Sequence, residues 1–292
     1  MIGPIVLASD ASYAMPLATA LRSLAEANQR HWPIDVRVLV TAFPEAMRLK
    51  VERSLPRGAV AIEWLPIEVA QFGGFGVQNH ISRMTYARLL IPSLLPQTAV
   101  KVLYLDADIL VLGDLGALWA TDVGNVLTAA VVDGLDQQVR DGMAGTERVP
   151  RVQRYFNAGV LLINLEGWRR ERVAERALEY LARNPSTPYS DQDALNVVCD
   201  GRWLPLDRGW NFVDFSERTE IASLAQERRP GVIHFATALK PWNYRFYSCN
   251  ARLYDTFRQR TQFARTPGNM MVDYVKTAIR LMREGPATAS SR

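Results

Sequence analysis

Cysteine is rare in this 292-residue sequence, and its two cysteines, Cys199 and Cys249, lie far apart. They form neither a C-x-x-C metal pair nor a disulfide framework, so we expect a protein of a reducing compartment. No stretch approaches the roughly 18 uninterrupted apolar residues of a membrane-spanning helix. The first residues, MIGPIVLASD, lack the basic start and long apolar run of a signal peptide. These absences predict a cytoplasmic protein.

Excess positive charge is confined to the C-terminal end. The formal net charge is +4, but residues 250–292 hold eight Lys/Arg against three Asp/Glu, and the remainder is close to neutral. Apolar residues recur there at helical spacing, which predicts a basic helical tail packed on the body, or in peripheral contact with the inner face of an anionic membrane: Met271, Val275, Ala278, Ile279 and Met282. The tail lacks the interleaved aromatics of a nucleic-acid-binding segment, so no nucleic-acid partner is expected.

Short apolar runs alternate with longer segments of helical period. The strand candidates are Ile5–Ala8, Val36–Thr41, Val60–Leu65, Val102–Leu105, Val126–Val132, Gly159–Asn164 and Val232–Phe235. The helix candidates are Pro16–Gln29, Pro44–Ser54, Ser82–Leu94, Trp168–Ala182 and Asp191–Cys199. This alternation predicts an α/β fold with a mostly parallel sheet covered on both faces. Ligands collect at the carboxyl ends of such strands, where polar residues follow four of the runs: Asp10, Asp106 with Asp108, Asp133 and His234.

The segment KVLYLDADILVLGDLGALW, residues 101–119, ends an apolar run with Asp106 and Asp108. Alternate residues of a strand point to one face, so two like charges converge at a cost in free energy unless a cation or a proton relieves it. An EF-hand is excluded because Leu110 and Val111 replace an oxygen ligand and the glycine. Three interpretations remain: the nucleophilic motif of a haloacid-dehalogenase phosphatase, the metal-binding D-x-D of a nucleotide-sugar glycosyltransferase, and a plain turn. The phosphatase motif normally lies near the start of its domain, whereas three strand candidates precede Asp106 here.

Six blocks decide between these interpretations. They are IVLASDASYA (Ile5–Ala14), HISRMTYARLLIP (His80–Pro92), VLYLDADILVLGDLGALW, YFNAGVLLINLEGWR (Tyr155–Arg169), YSDQDALN (Tyr189–Asn196) and HFATALKPW (His234–Trp242). In this order they resemble the retaining glycosyltransferases of family eight, which include glycogenin and bacterial lipooligosaccharide galactosyltransferases. The sequence is more similar to the bacterial enzymes. Ordered blocks over about 240 residues are far more specific than one motif.

The resemblance implies a single GT-A-type catalytic domain over residues 1–249, with a Rossmann-like, mostly parallel central sheet flanked by helices and followed by the tail over 250–292. It also implies that Asp106, Asp108 and His234 ligate a divalent ion. One imidazole with two carboxylates suits Mn²⁺ better than Mg²⁺, which is the alternative.

Nucleotide binding is carried over to five positions: Ala8, Asp10, Tyr13, Ala107 and Lys240. Asp10 would accept a hydrogen bond from uracil N3–H, Tyr13 would stack on the base, and Ala107 would offer backbone groups to the ribose. Lys240 would contact a diphosphate oxygen as a point charge. Asp10 and Tyr13 have the alternative interpretation of a helix cap and a core residue.

The resemblance assigns the donor sugar to residues whose amide, carboxylate and guanidinium groups bind hydroxyls in fixed geometry: His80, Arg88, Asn157, Asp191 and Gln192. Asp133 and Tyr189 are expected on the acceptor side. Gln192 is the expected catalytic residue and would stabilise charge, because an amide is a poor nucleophile and the family's usual route is front-face attack. Asp191 is the nucleophile candidate if a covalent intermediate forms.

The expected activity is retaining transfer of galactose or glucose from a UDP-sugar to a glycan or glycolipid, assisted by a metal. The alternatives are a metal phosphatase and a UDP-sugar-binding protein without turnover. One position departs from the family pattern: Thr237 stands where relatives have glycine three residues after His234. A glycine permits close backbone approach or positive φ, so its replacement bears on the loop over the diphosphate or on the acceptor pocket.

Overall fold

The structure, a computed structural model, describes residues 2–68, 72, 82–213, 220–238, 240–243 and 248–266, together with positions 268, 271, 272 and 275. Its strands are β1 (Ile5–Asp10), β2 (Ile34–Thr41), β3 (Val60–Pro66), β4 (Lys101–Leu105), β5 (Ile109–Val111), β6 (Thr128–Val132), β7 (Phe156–Asn164), β8 (Trp203–Pro205), β9 (Phe212–Val213) and β10 (Val232–His234). Its α-helices are α1 (Ala14–Ala27), α2 (Glu45–Glu52), α3 (Ile91–Leu94), α4 (Gly116–Trp119), α5 (Asp136–Asp141), α6 (Leu165–Arg170), α7 (Val173–Arg183), α8 (Asp191–Val198) and α9 (Ala251–Arg258). No helix in these described ranges is long and apolar enough to cross a membrane.

The large sheet has seven strands in the order β3-β2-β1-β4-β7-β6-β8. All neighbouring pairs are parallel except the two that involve β7, which runs antiparallel to β4 and β6. The start of β7 therefore lies at the same edge as the carboxyl ends of β1, β4 and β6. The mostly parallel sheet expected from the strand–helix alternation is confirmed.

Helices cover both faces because alternate strand residues point to opposite sides. Leu103 and Leu105 of β4 pack in the cluster that contains α1, with Leu17 and Leu21. Val102 and Tyr104 face the other side, where the cluster contains residues of α6, α7 and α8. Both clusters are sequestered from solvent, so the sheet provides a rigid platform for the loops at its edge.

A second, three-stranded sheet has the order β5-β10-β9. Strand β5 follows β4 after the turn that contains Asp106 and Asp108, and it pairs antiparallel with β10, opposite Ile233 and His234. The sequence pattern missed β5, β8 and β9, which have only two or three residues each, but found the equally short β10 within an apolar run.

Two helix predictions are wrong in their form. The segment predicted as one helix, Ser82–Leu94, is a 3-10 helix over Arg83–Leu90 followed by α3. The N–H of Ile91 donates to the carbonyl of Arg88, and Pro92 has no N–H with which to make the α-helical bond to that oxygen. The predicted helix Trp168–Ala182 is two helices, α6 and α7, separated at Arg172 with φ of 52°.

The described part of the predicted tail packs on the body of the protein. Tyr254 of α9 is fully buried and joins Leu110 and Ile233 of the small sheet. Arg260 pairs with Glu26 of α1 at 2.6 Å. The division at residue 250 and the membrane role of the tail stay predictions. Met271, Val272 and Val275 are exposed, and the remaining apolar positions of the predicted tail helix lie outside the described residues.

Candidate active site

Asp106 and Asp108 occupy the turn between β4 and β5. The backbone N–H of Asp106 donates to the carbonyl of Gly159 on β7, and the carbonyl of Asp108 accepts from the N–H of Phe235, just after β10. The backbone of Asp106 is thus hydrogen-bonded to the large sheet, and that of Asp108 to the residue that follows the last strand of the small sheet. Strand alternation was the wrong reason for expecting the two carboxylates to converge, because the strand ends at Leu105 and the turn brings them together.

His234 ends β10 and lies beside the acidic pair. Its Nε2 is 3.7 Å from Oδ2 of Asp106 and 3.4 Å from Oδ1 of Asp108. One ligand atom from each of the three residues falls within 4.8 Å of the others. The predicted convergence of a histidine and an acidic pair that are far apart in sequence is confirmed.

Two residues that the sequence reasoning missed hold the His234 ring. A Cβ atom on Gly159 would come within 2.6 Å of Nδ1 of His234 and 3.0 Å of Oδ2 of Asp106, so only glycine leaves room for the imidazole. Nδ1 of His234 is 2.9 Å from Oδ1 of Asn211. A glycine inside a strand is a sequence signal of close approach. Asn211, which precedes β9, has no such signal.

Lys240 lies at the same acidic group. Its Nζ is 2.6 Å from Oδ2 of Asp108 and donates to the carbonyl of Phe235 at 2.6 Å. Burial by itself raises the pKa of Asp108, but the charges of Lys240 and His234 outweigh it and hold that pKa far below its usual range. Asp108 is therefore a carboxylate throughout the neutral pH range, as a metal ligand must be.

Arg88, on the 3-10 helix, joins two carboxylates in the interior. Its Nη2 is 3.1 Å from Oδ1 of Asp106, and its Nε is 2.8 Å from Oδ2 of Asp191. Thr85 donates to the other oxygen of Asp191, and the Tyr104 hydroxyl donates to Asp106 at 2.7 Å. Burial raises the pKa of Asp191 to about 6, against the opposing effect of Arg88. Arg88 thus connects Asp106 of the acidic pair with Asp191, the first residue of α8.

Three of the predicted sugar and acceptor residues, Asn157, Gln192 and Asp133, form one hydrogen-bonded group at the start of β7. Asn157 donates to Oδ2 of Asp133 at 2.9 Å. Gln192 donates to the same oxygen at 3.4 Å and accepts from the N–H of Ala158 at 2.9 Å. Asp133 follows β6, so its carboxylate reaches this group from the expected strand end.

Tyr189 is more peripheral. The residue is 36% exposed, and its backbone N–H donates to Asp193. Asp193 is fully buried and also accepts from Thr187 and Tyr155, so its carboxylate organises the start of α8. Ser190, which precedes that helix, has φ of 52° and ψ of −122°, a sparsely populated region in which strain concentrates at functional sites.

The predicted uridine-binding residues follow β1. Asp10 caps the turn after the strand: its Oδ1 accepts from the backbone N–H groups of Ser12 at 2.9 Å and Tyr13 at 3.3 Å. Tyr13 stacks edge-on against Trp242 with ring centroids 5.8 Å apart. Burial raises the pKa of Tyr13, and the charges of Asp108 and Asp106 add to the effect. Both alternative interpretations, cap and packed ring, describe the observed contacts.

The remaining predicted positions are less informative. Ala8 lies in β1 and is half-buried, and Ala107 separates the two acids and is nearly buried. His80, predicted at the donor sugar, lies outside the described residues. The loop position Thr237 is described and half-buried.

Three observations fit a divalent ion at Asp106, Asp108 and His234. Two carboxylates and one imidazole are a donor set that first-row divalent ions bind. Gly159 leaves space for the ring that no other residue type would leave. Asn211 engages Nδ1, so Nε2 is the ring atom that faces both acids. These contacts bring an acidic pair, a buried arginine and a group of amide side chains together at the carboxyl edge of the large sheet.

Comparison with known proteins identifies the family. Residues 4–245 match the family Glycosyl transferase family 8, so the chain belongs to that family. The solved structure of the galactosyltransferase LgtC, in complex with donor and acceptor sugar analogs, is similar at 29% identity and a TM-score of 0.76, covering 92% of this chain and 99% of LgtC. This agreement confirms the expected GT-A fold and a retaining hexosyltransferase.

Two curated relatives match most of the chain. General stress protein A of Bacillus subtilis is 27% identical over 252 residues, covering 82% of this chain and 87% of the relative. Lipopolysaccharide 1,2-glucosyltransferase of Escherichia coli is 26% identical over 242 residues, covering 80% and 71%. Other relatives are longer: the chain spans 57% of Glycosyltransferase GlyF of Streptococcus pneumoniae. The phosphatase interpretation of the D-x-D motif is excluded by this family membership.

Proposed function

We propose that this protein transfers galactose or glucose from a UDP-sugar to a hydroxyl of a glycan or glycolipid, with retention at the anomeric carbon. The observation that carries the proposal is the meeting of Asp106, Asp108 and His234, delivered by two different sheets, beside the sugar-side group of Asn157 and Gln192. LgtC, which has the same fold, was solved with donor and acceptor sugar analogs. The lipopolysaccharide glucosyltransferase relative supports a hexose donor and a glycolipid class of acceptor.

The acidic pair and His234 would hold Mn²⁺, or Mg²⁺ as the alternative. When bound there, the ion supplies neutralisation of the diphosphate and polarises the leaving oxygen. Lys240 pairs with Asp108 and would move a short distance to a diphosphate oxygen. Asp10 uses only Oδ1 for its cap, in the bonds described above, which leaves Oδ2 for the uracil N3–H. Tyr13, held edge-on by Trp242, would present its ring to the base.

Arg88, Asn157, Asp191 and Gln192 would bind the transferred hexose. Asp191 is 1% exposed and held by Arg88 and Thr85, which favours a positioning role over nucleophilic attack. Gln192 accepts from Ala158, so its NH2 group faces Asp133. These contacts support front-face attack, in which a phosphate oxygen of the departing UDP takes the acceptor's proton while Gln192 orients the sugar. The transition state has oxocarbenium character, as in glycosidases.

Asp133 and Tyr189 would lie on the acceptor side. Asp133 is linked to Asn157 and Gln192, and Tyr189 is partly exposed at the start of α8, so both can contact an incoming hydroxyl. His80, outside the described residues, is proposed as a further donor-sugar residue on the resemblance alone. A basic tail over residues 250–292 would favour attachment of a cytoplasmic enzyme to an anionic membrane surface, where a glycolipid acceptor would be found.

The test measures UDP release with UDP-galactose and UDP-glucose in turn, with Mn²⁺, with Mg²⁺ and with a chelator. Metal-stimulated UDP release is expected, and release should increase further when glycolipid or oligosaccharide acceptors are added. The proposal fails if no UDP-sugar is turned over under any of these conditions. Tight UDP-sugar binding without turnover would instead establish the binding-protein alternative.

A further inference from the structure

A continuous chain of side-chain hydrogen bonds connects His234 to the sugar-side residues. Nδ1 of His234 meets Oδ1 of Asn211 at 2.9 Å, Nδ2 of Asn211 meets Oδ1 of Asn157 at 2.8 Å, and Nδ2 of Asn157 meets Oδ2 of Asp133 at 2.9 Å. Asn211 and His234 are 2% and 3% exposed. Chains of buried hydrogen bonds such as this one leave little freedom for any member to reorient.

The direction of every bond in the chain follows from the chemistry of the groups. Gly159 contributes a backbone N–H, which can only donate, and it meets Oδ1 of Asn157 at 3.0 Å. The oxygen of the Asn157 amide therefore faces Gly159, and its NH2 group faces Asp133, which accepts at Oδ2. Two independent neighbours thus fix the same orientation of Asn157.

This orientation of Asn157 determines the next two groups. Because Asn157 offers its oxygen to Asn211, the Asn211 NH2 group must face it, and the Asn211 oxygen must face His234. An amide oxygen only accepts, so Nδ1 of His234 carries the proton. Nε2 is then the ring atom presented to Asp106 and Asp108.

We propose that Asn211 is a positioning residue for the metal ligand His234, and that Asn157 sets the direction in which Asn211 acts. The inference deepens the proposed function and rests on it. Hydrogen bonding to the distal nitrogen of a ligating imidazole fixes its orientation and raises its basicity, and loss of such a partner costs roughly 10- to 100-fold in metal affinity. Asn157 has a contact with each half of the site, so the metal side and the sugar side share one rigid element.

The test measures Mn²⁺ binding by calorimetry, without any nucleotide sugar. Asn211→Leu keeps the size of the side chain but loses both hydrogen bonds, and it should lower Mn²⁺ affinity about 10-fold or more. Asn211→Asp keeps an acceptor for Nδ1 but loses the hydrogen bond donated to Oδ1 of Asn157, so it should retain more Mn²⁺ affinity than Asn211→Leu without reaching the wild-type value. The matched control is Asn28→Leu, since Asn28 is a fully buried asparagine that donates to the carbonyl groups of Leu24 and Gly113 and accepts from the N–H of Leu115.

A second readout follows the Nδ1 proton directly. In histidine-labelled protein loaded with diamagnetic Zn²⁺, His234 should give a resolved Nδ1–H resonance that exchanges slowly with water; the sequence has only three histidines, which simplifies assignment. This resonance should persist in the Asn28→Leu variant and disappear in Asn211→Leu.

Several results would overturn the inference. If wild type binds Mn²⁺ and releases UDP while Asn211→Leu binds Mn²⁺ equally well, Asn211 has no positioning role and the proposed function stands. If Asn211→Leu and Asn28→Leu lose affinity alike, the effect is general damage to the fold and the inference again fails alone. If wild type binds no divalent ion, the inference and the metal-assisted part of the proposed function fall together.

Discussion

The imidazole of His234 occupies the space that a side chain at position 159 would fill. A Cβ on Gly159 would lie 2.6 Å from Nδ1 of His234, closer than real contacts allow. Strand β7 is fully buried, and although its pairing with β6 is interrupted at Gly159, the carbonyl of Gly159 accepts from the N–H of Asp106 and its N–H donates to Asn157, which holds the backbone in place. The position of the His234 imidazole therefore depends on the absence of a side chain at residue 159.

We predict that Gly159→Ala displaces His234 and lowers the affinity for Mn²⁺ by at least about 100-fold, since one of three protein ligands is lost. Binding of Mn²⁺ is measured by calorimetry on folded protein, checked by circular dichroism. Gly134→Ala is the control: it also lies near the site, but its Cβ would meet no atom within 4 Å. Unchanged binding in Gly159→Ala would show that His234 is not a ligand.

Lys240 and a metal ion both require the carboxylate of Asp108. Replacing Lys240 by Met removes a positive charge 2.6 Å from a ligand oxygen, so the affinity for Mn²⁺ alone should rise by roughly 3- to 10-fold. The KM for the UDP-sugar should rise as well, because the diphosphate loses a contact. Lys101→Met serves as control, since Lys101 is half-buried, donates to the carbonyl of Trp119 and lies at the opposite end of β4. A fall in Mn²⁺ affinity would contradict competition.

Arg88 requires the planar fork of a guanidinium. It spans Asp106 and Asp191 and also donates to the carbonyl groups of Ala158 and Thr85. Arg88→Lys keeps the charge but cannot reach all these partners, so we expect a loss of about 2 kcal/mol or more in the free energy of unfolding, measured with urea. Arg30→Lys, at an exposed pair with Asp114, should cost less than about 1 kcal/mol. Equal effects would argue against the buried bridge.

Asp191 should make stability depend on pH. Its pKa is about 6 in the folded protein against an ordinary value of 3.8, so the folded state binds the proton more tightly than the unfolded state. The associated stability is fully present below the ordinary value and is lost as pH rises through about 6. Relative to Asp191→Asn, wild type should lose about 3 kcal/mol between about pH 4 and pH 7. A constant difference across that range, in metal-free denaturant titrations, would refute the shift.

Six of the seven strands of the large sheet could be predicted because they are five or more residues long and largely apolar, whereas the three-residue β8 was missed. Periodicity does not reveal the left-handed backbone of Arg172, which divides one predicted helix, or the missing N–H of Pro92, which accounts for the 3-10 bond of Ile91 in the other. Apolar spacing reports which face is buried, not whether the helix is continuous or of α-helical pitch.

At the site, the meeting of His234 with Asp106 and Asp108 was predictable, because the ordered blocks identify the family. Asn211 was not, since an asparagine before a two-residue strand resembles any loop residue and its role depends on packing across the small sheet. Gly159 was visible as a glycine inside a buried strand, but only the position of the His234 ring shows why it is needed.

The turn at residues 106–108 passes from the large sheet to the small one, with one acid hydrogen-bonded to β7 and the other to the residue after β10. An ion bound to the acids and to His234 would cross-link two separate layers of the molecule, and its binding free energy would add to their cohesion. The small sheet would then separate from the large sheet less often when the ion is bound. Slow amide exchange in β5 and β10 would therefore report the fraction of molecules that hold the metal.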